Sequence, residues 1–308
     1  MRVATALPVL AIMTVLTFLL VSLIPGDAAT TILGQDATPE RVAALNAELG
    51  LDQPLALRYW EWLQAAVTGD LGTSLYTGDQ VSGVVLGRVG PTLSIVLAST
   101  ALAVIIGTCS GFYAALRGGW IARTLDTLGM LGISLPNFWI ALLLVAIFAG
   151  QFALLPALGY VPIRKDPVDW AAHLVLPVAS LTVAGIAMIA KQSRDAVSEG
   201  LSREFVRFLE ANGVPRWKLL WSHVLRYAAG RIVSVTLATF VNLFGGTVAL
   251  EAVFAVPGIG SLVATATLQH DLPTVQGAVL AYTVVILVMT IAADLGRAAL
   301  DPKVRAAG

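Results

Sequence analysis

Six stretches of this 308-residue chain carry no charged side chain and approach the roughly 20 residues an α-helix needs to cross a bilayer. They are Val3–Ile24, Val89–Leu116, Thr127–Gly150, Ala171–Ala190, Ile232–Leu250 and Leu272–Ala293. Composition points the same way. Hydrophobic residues make up 57% and charged residues 12%, against about 25% charged in a soluble domain. With a mean hydropathy of +0.83, a chain of this length would leave too much apolar surface in water, so its solvent is lipid. An all-α integral membrane protein is expected.

Six spans put both termini on one side. Arg2, Arg117, Arg123, the eight basic residues of 191–231, Arg297, Lys303 and Arg305 then share a face. Only Arg41, Arg58, Arg88, Arg164 and Lys165 remain for the other. The positive-inside rule makes the first face cytosolic. The first run exceeds the 7–15-residue core typical of a secretory signal, and Arg2 is a meagre basic lead, so a retained span is expected. The chain thus reads as a first span over 1–24, an external segment over 25–88, a five-helix core over 89–298 and a cytosolic tail over 299–308.

The 25–88 segment is too long for a plain connector. Thr38-Pro39-Glu40 is a helix start, with a capping hydroxyl, a proline in the first turn and a carboxylate at the positive helix end. Gly50 is a stop. A second helical stretch runs from about Pro54 to Thr68 and clusters Tyr59, Trp60 and Trp62 as interfacial aromatics. The segment reads as a folded ledge against the membrane surface.

Residues 191–231 are an island of charge: Lys191, Arg194, Arg203, Arg207, Arg216, Lys218, Arg226 and Arg231. Asn212-Gly213 and Pro215 split it into two short amphipathic pieces. Phe205, Phe208, Leu209 and Asn212 recur at near-helical spacing, predicting one face that packs into a partner's groove while Arg203 and Arg207 stay solvated. Asn212-Gly213 suits a left-handed helix end and Pro215 the next start. Trp217, Leu220, Trp221 and Val224 would let the second piece lie along the membrane.

Enzymatic and ion-coupling chemistry is not visible. Asp126, Glu251 and Asp294 stand at span ends and none mid-span, which disfavours a proton-coupled carrier. His173, His223 and His270 fall in three different connections and read as ordinary span-end residues, with no H-E-x-x-H and no G-x-S-x-G. There is no P-loop signature, so ATP energy would come from a partner. Zero net charge favours no nucleic acid. Cys109, the single cysteine, reads as a small buried hydrophobe. Gly107 and Gly111 form a G-x-x-x-G that permits close helix approach.

Several motifs carry a resemblance. Ile24-Pro25-Gly26-Asp27, Leu49-Gly50-Leu51-Asp52-Gln53-Pro54, Gly69-Asp70-Leu71-Gly72-Thr73-Ser74, Ser134-Leu135-Pro136-Asn137-Phe138-Trp139 and Leu176-Pro177 come in order. Glu210-Ala211-Asn212-Gly213 follows, ahead of His223. Then come Gly245-Gly246, Glu251-Ala252-Val253-Phe254, Pro257-Gly258-Ile259-Gly260, Asp271-Leu272-Pro273-Thr274-Val275-Gln276-Gly277 and Leu300-Asp301-Pro302-Lys303. In order and spacing the chain resembles the inner-membrane permease subunits of ATP-binding-cassette importers, in the dipeptide/oligopeptide/nickel class. It departs from that pattern at Asn212, where a basic residue is common, and at Tyr227 and Arg231, where asparagine and proline are common.

The resemblance implies a type I importer permease (MetI-like) fold in a bacterial inner membrane. A homologous second permease, two ATPase domains and an extracytoplasmic substrate-binding protein would be its partners. It implies no cofactor in this chain, ATP and magnesium belonging to the ATPases. Phe205, Phe208, Leu209, Glu210, Ala211, Asn212 and Gly213 would form the ATPase-coupling segment. Glu251, Phe254, Pro257 and Gly258 are read as an external gate or mouth, Glu251 either reaching toward headgroups or helping to form that mouth. Two rivals of other classes are a carrier working alone and a membrane scaffold; the first lacks a buried titratable residue, and the second leaves the 191–231 island unexplained.

Overall fold

The computed structural model describes residues 2–300; Leu300-Asp301-Pro302-Lys303 and the 299–308 tail lie largely outside them. The helices are α1 (Arg2–Ser22), α2 (Ala28–Leu33), α3 (Pro39–Glu48), α4 (Leu55–Val67), α5 (Val81–Arg117) and α6 (Gly119–Ser134), followed by α7 (Asn137–Gln151) and α8 (Pro167–Ser202). After them come α9 (Glu204–Ala211), α10 (Arg216–Val253), α11 (Ile259–Leu268) and α12 (Leu272–Leu300). Among the described residues the only extended pairing is a single antiparallel bridge between Thr73 and Gln80.

Among the described residues four helices, α5, α8, α10 and α12, are long and apolar enough to cross a membrane. The third expected span is not one rod. It is α6 and α7, bent by 93° at Leu135-Pro136. Pro136 drives the residue before it out of the α region, and Leu135 is extended at φ −85°, ψ 129°. Counted as one broken span, the pair makes five. In α1 the apolar stretch Leu7–Ser22 is shorter than the others.

The charge-free runs also understate the helices. α8 has 36 residues and carries Lys191, Arg194, Asp195 and Glu199 in its last turns. α10 has 38 and begins at Arg216. Lys, Arg and Glu are good helix formers, so leaving the apolar stretch does not end a helix. The second piece expected to lie along the membrane is therefore the first turns of α10, passing through a π-helical turn at Leu219–Val224. Leu219 and Val224 are buried, and Trp217 and Trp221 are exposed.

Two compact units emerge. One comprises the chain up to Thr92 with Pro257–Leu287. In it α3 starts as expected: Thr38 Oγ1 accepts from Arg41 N at 3.4 Å and Pro39 opens the helix. Its end is a Schellman turn, with Gly50 at φ +66° and Leu51 N donating to Asn46 O at 2.8 Å. α4 docks on α1 through Tyr59, whose hydroxyl lies 3.0 Å from Thr14 Oγ1 and whose ring stands edge-on to Phe18 at 5.4 Å. Trp60 alone of the three aromatics points out.

Motifs far apart in sequence meet inside this unit. Asp271 is buried and accepts from Ser74 Oγ at 2.5 Å, Leu75 N at 3.1 Å and Thr274 Oγ1 at 2.7 Å. Gln276 Nε2 donates to Thr14 O at 2.8 Å. Asp27 Oδ1 caps α2, and its Oδ2 accepts from Asn46 at 2.6 Å. Gly26, at φ +136°, has no room for a β-carbon, which would stand 2.2 Å from His270 Nε2. His270 is thus a packed helix terminator at φ +55° rather than a free span-end residue.

The other unit comprises Leu93–Val256 and the chain from Val288. Its centre is α8, held against α5, α6, α7 and α10. The G-x-x-x-G pair is where α5 touches α8: a β-carbon on Gly107 would stand 2.9 Å from Ile189 Cβ, and one on Gly111 would stand 2.3 Å from Ala190 O. Arg194 of α8 pairs with Asp126 of α6.

Candidate functional site

The expected coupling segment forms the short helix α9, standing between the ends of α8 and α10. Arg203 turns the chain out of α8 in an extended conformation, φ −71° and ψ 147°. The helix end is a Schellman turn in all its parts. Gly213 sits at φ +76°, its N–H donates to Glu210 O at 3.0 Å, and Val214 N donates to Leu209 O at 3.1 Å. Asn212 is the last helical cap, its Nδ2 donating to Phe208 O at 2.7 Å. Pro215 then opens α10.

The expected outward face is split by the packing. Val206, which the spacing argument passed over, is 3% exposed, and Phe205, Leu209 and Val214 pack around the same core of Val197, Leu219 and Val224. These side chains hold α9 to its own protein. Phe208 is 69% exposed, and Glu210, Ala211, Asn212 and Gly213 are exposed beside it. What α9 offers a partner is thus Phe208 with a small-and-polar tip, not the Phe205–Leu209 stripe. Arg207 is exposed, as expected.

Arg203 is exposed, as expected, but it is paired. Its guanidinium pairs with Glu199, its Nε donates to Tyr227 Oη at 3.0 Å, and it lies 5.5 Å over the Tyr227 ring. Tyr227 Oη donates to Glu199 Oε1 at 2.9 Å. Arg231 Nε donates to Gln192 Oε1 at 3.1 Å, and its Nη1 lies 3.4 Å from Glu199 Oε2. The hydrogen bond to Glu199, and then that to Tyr227, hold the Arg203 pKa above its ordinary value. Tyr227 and Arg231, where the chain departs from the resembled pattern, thus brace α8 against α10 at the root of α9. The departure is visible in the sequence. Its partners are not, because they lie on another helix.

The expected mouth is largely interior. Glu251 is 0% exposed, so it does not reach toward headgroups. It is a buried titratable residue of the kind the sequence reading did not find, because burial is set by the packed helices and not by position along the span. Phe254 and Gly258 are buried, and Pro257 is exposed. α10 ends with Ala255 at φ +50° and Val256 N donating to Glu251 O at 2.9 Å. Phe254 O accepts from Gly159 N at 2.8 Å, tying the connection before α8 to this end. Pro257 and Gly258 begin the other unit, where Gly258 precedes α11 and Thr92 Oγ1 accepts from Ile259 N at 2.9 Å. No cluster of three or more metal-ligating side chains occurs among the described residues.

Long apolar helices, with a braced and exposed helical turn between two of them, call for comparison with membrane transport proteins. Residues 103–306 match the family of binding-protein-dependent transport system inner membrane components. Residues 1–96 match the N-terminal region model for membrane components of the same systems. The chain belongs to this family.

Over 305 residues it is 36% identical to a Brucella abortus permease that carries a provisional peptide-transport name, covering 99% of this chain and 97% of that one. It is 32% identical over 305 residues to the glutathione transport system permease protein GsiC of Escherichia coli, with coverage of 99% and 97%. In fold it is similar to a chain of the inward-facing MetNI methionine ABC transporter, with a TM-score of 0.57 and 18% identity over 71% of this chain and 96% of that one.

Proposed function

We propose that this chain is one of two homologous permease subunits of an ATP-driven peptide importer and that α9 couples it to cytosolic ATPases. The observation that carries the reading is the construction of α9. Phe205, Val206 and Leu209 lock it to the chain's own helices, and Phe208 is left projecting. A rigidly braced helix with a single exposed aromatic anchor suits a groove on a partner. The basic asymmetry supports six spans with both termini and α9 cytosolic and 25–88 outside.

ATP and magnesium would be bound by the ATPases and not by this chain. An extracytoplasmic binding protein would deliver cargo, and a nucleotide-driven movement of the ATPases would be transmitted through α9. Peptides are the cargo class supported by the names of the relatives. The burial of Glu251 and Phe254 supports a gate that works by repacking at the end of α10, without a carboxylate projecting into a channel.

The test is reconstitution. The chain should co-purify with a second permease and an ATPase, and proteoliposomes should take up peptide only with ATP and the binding protein. Uptake by this chain alone, without ATP, would overturn the proposal.

A further inference from the structure

Arg58 on α4 is a half-buried residue whose guanidinium has no hydrogen bond and no carboxylate within ion-pair distance among the described residues, and it lies 6.0 Å from the Phe18 ring centroid. Burial lowers its pKa from the ordinary value. Arg58 lines two cavities within the unit that contains 25–92 and 257–287, of ≈ 350 Å³ and ≈ 320 Å³. Even half-buried, a cation left without a partner is partly desolvated at a cost, and such groups mark sites where something else can supply the counter-charge.

Three features say what that is. Glu48 and Glu61 line the larger cavity with Arg58, so a simple anion would meet two carboxylates as well as the guanidinium. Apolar wall is supplied by Phe18, Leu51 and Leu272. The walls also hold buried polar atoms without partners: Trp62 Nε1 and Gln276 Oε1 in the larger cavity, Asn46 Oδ1 and His270 Nδ1 in the smaller. Both donors and acceptors are wanting, which is unusual in a settled interior. The cavity walls also bring together parts of three separate motifs, Pro-Gly-Asp at 25–27, Leu-Gly-Leu-Asp-Gln-Pro at 49–54 and the 271–277 segment, none of which the coupling function uses.

We propose that these adjoining cavities bind a small zwitterion, a free amino acid or short peptide with an apolar side chain. Its carboxylate faces Arg58 and its ammonium faces Glu48 and Glu61. The site is independent of the coupling reading and relies on the proposed orientation only for its access from outside.

The assay is equilibrium binding of radiolabelled Leu-Leu, its C-terminal amide and N-acetyl-Leu-Leu to the assembled transporter in phosphatidylglycerol nanodiscs without binding protein. The acid should bind about tenfold tighter than the amide, and also about tenfold tighter than the acetylated form. Arg58→Gln should abolish the acid-over-amide preference, while Arg58→Lys keeps part of it. Glu48→Gln with Glu61→Gln should abolish discrimination against the acetylated form. These ratios report recognition and do not move with general loss of stability.

An acid-over-amide preference that survives Arg58→Gln overturns the proposal, as does no binding at all. So does Leu-Leu binding that vanishes in phosphatidylethanolamine nanodiscs, since the occupant is then a lipid headgroup. ATP-dependent uptake with the binding protein, measured on the same preparations, tests the importer reading separately. Uptake without Arg58-dependent binding overturns this inference alone.

Discussion

Gly213 and Phe208 separate two demands on the same short helix. Gly213 has open space around its α-carbon but sits at φ +76°, so a side chain there meets backbone strain and no neighbour. Gly213→Val should cost about 1–2 kcal/mol locally, and Gly213→Asn less, because asparagine tolerates the left-handed region. Assembly should persist while stimulation of ATP hydrolysis by loaded binding protein falls; unchanged stimulation in Gly213→Val would place the coupling elsewhere. Phe208→Asp should abolish stimulation with the permease still folded, since this ring is exposed. Leu209→Asp is a different experiment, because Leu209 packs on the chain's own core, and it should lower the yield of folded protein. Fluorescence-detected size exclusion on the two variants distinguishes these outcomes. The residue types and the turn at 212–213 were legible in sequence. Which way Phe205 and Phe208 point was not, since near-helical spacing gives a stripe and the neighbouring helices choose which part of it they cover.

At the scale of elements, the contacts that matter join pieces remote in sequence. A β-carbon at Gly111 would sit 2.3 Å from the Ala190 carbonyl oxygen, so Gly111→Ala should force α5 from α8 and lower stability by about 1–3 kcal/mol. Gly87→Ala, on the same helix and with open space around it, serves as the control for glycine replacement in thermal denaturation in detergent. Asp271 is the corresponding joint in the other unit. Asp271→Ala strands the Ser74 hydroxyl and the Leu75 N–H and should cost on the order of 3 kcal/mol. Increased proteolysis of the 71–79 loop is the expected readout, and a wild-type cleavage pattern would argue against this role. The Gly-Asp-Leu-Gly-Thr-Ser and Asp-Leu-Pro-Thr motifs were both visible as motifs. That they are two halves of one hydrogen-bonded joint follows only from folding, because nothing in their local pattern encodes a separation of 197 residues between Ser74 and Asp271.

For the whole molecule, the open quantity is how the helices thread the bilayer. Single cysteines at Thr77 and Ala306, in a background lacking Cys109, which is exposed and not buried as expected, should label from outside and inside respectively; labelling of both from one side would overturn the six-span orientation. By itself the sequence determined the all-helical membrane class, the charge asymmetry, the helix starts at Thr38-Pro39 and Pro215, and the turns at Gly50 and Gly213. Each of these depends on hydropathy, capping or backbone freedom within a few residues. Tertiary structure decided the rest: the bend of α6 against α7, the extension of α8 and α10 through charged residues, the inward turn of Val206 and the interior position of Glu251. It also brought three motifs around Arg58. The physical reason is that burial, ion pairing and close approach are properties of pairs of distant segments, and a residue's own neighbours in the chain do not specify what will pack against it.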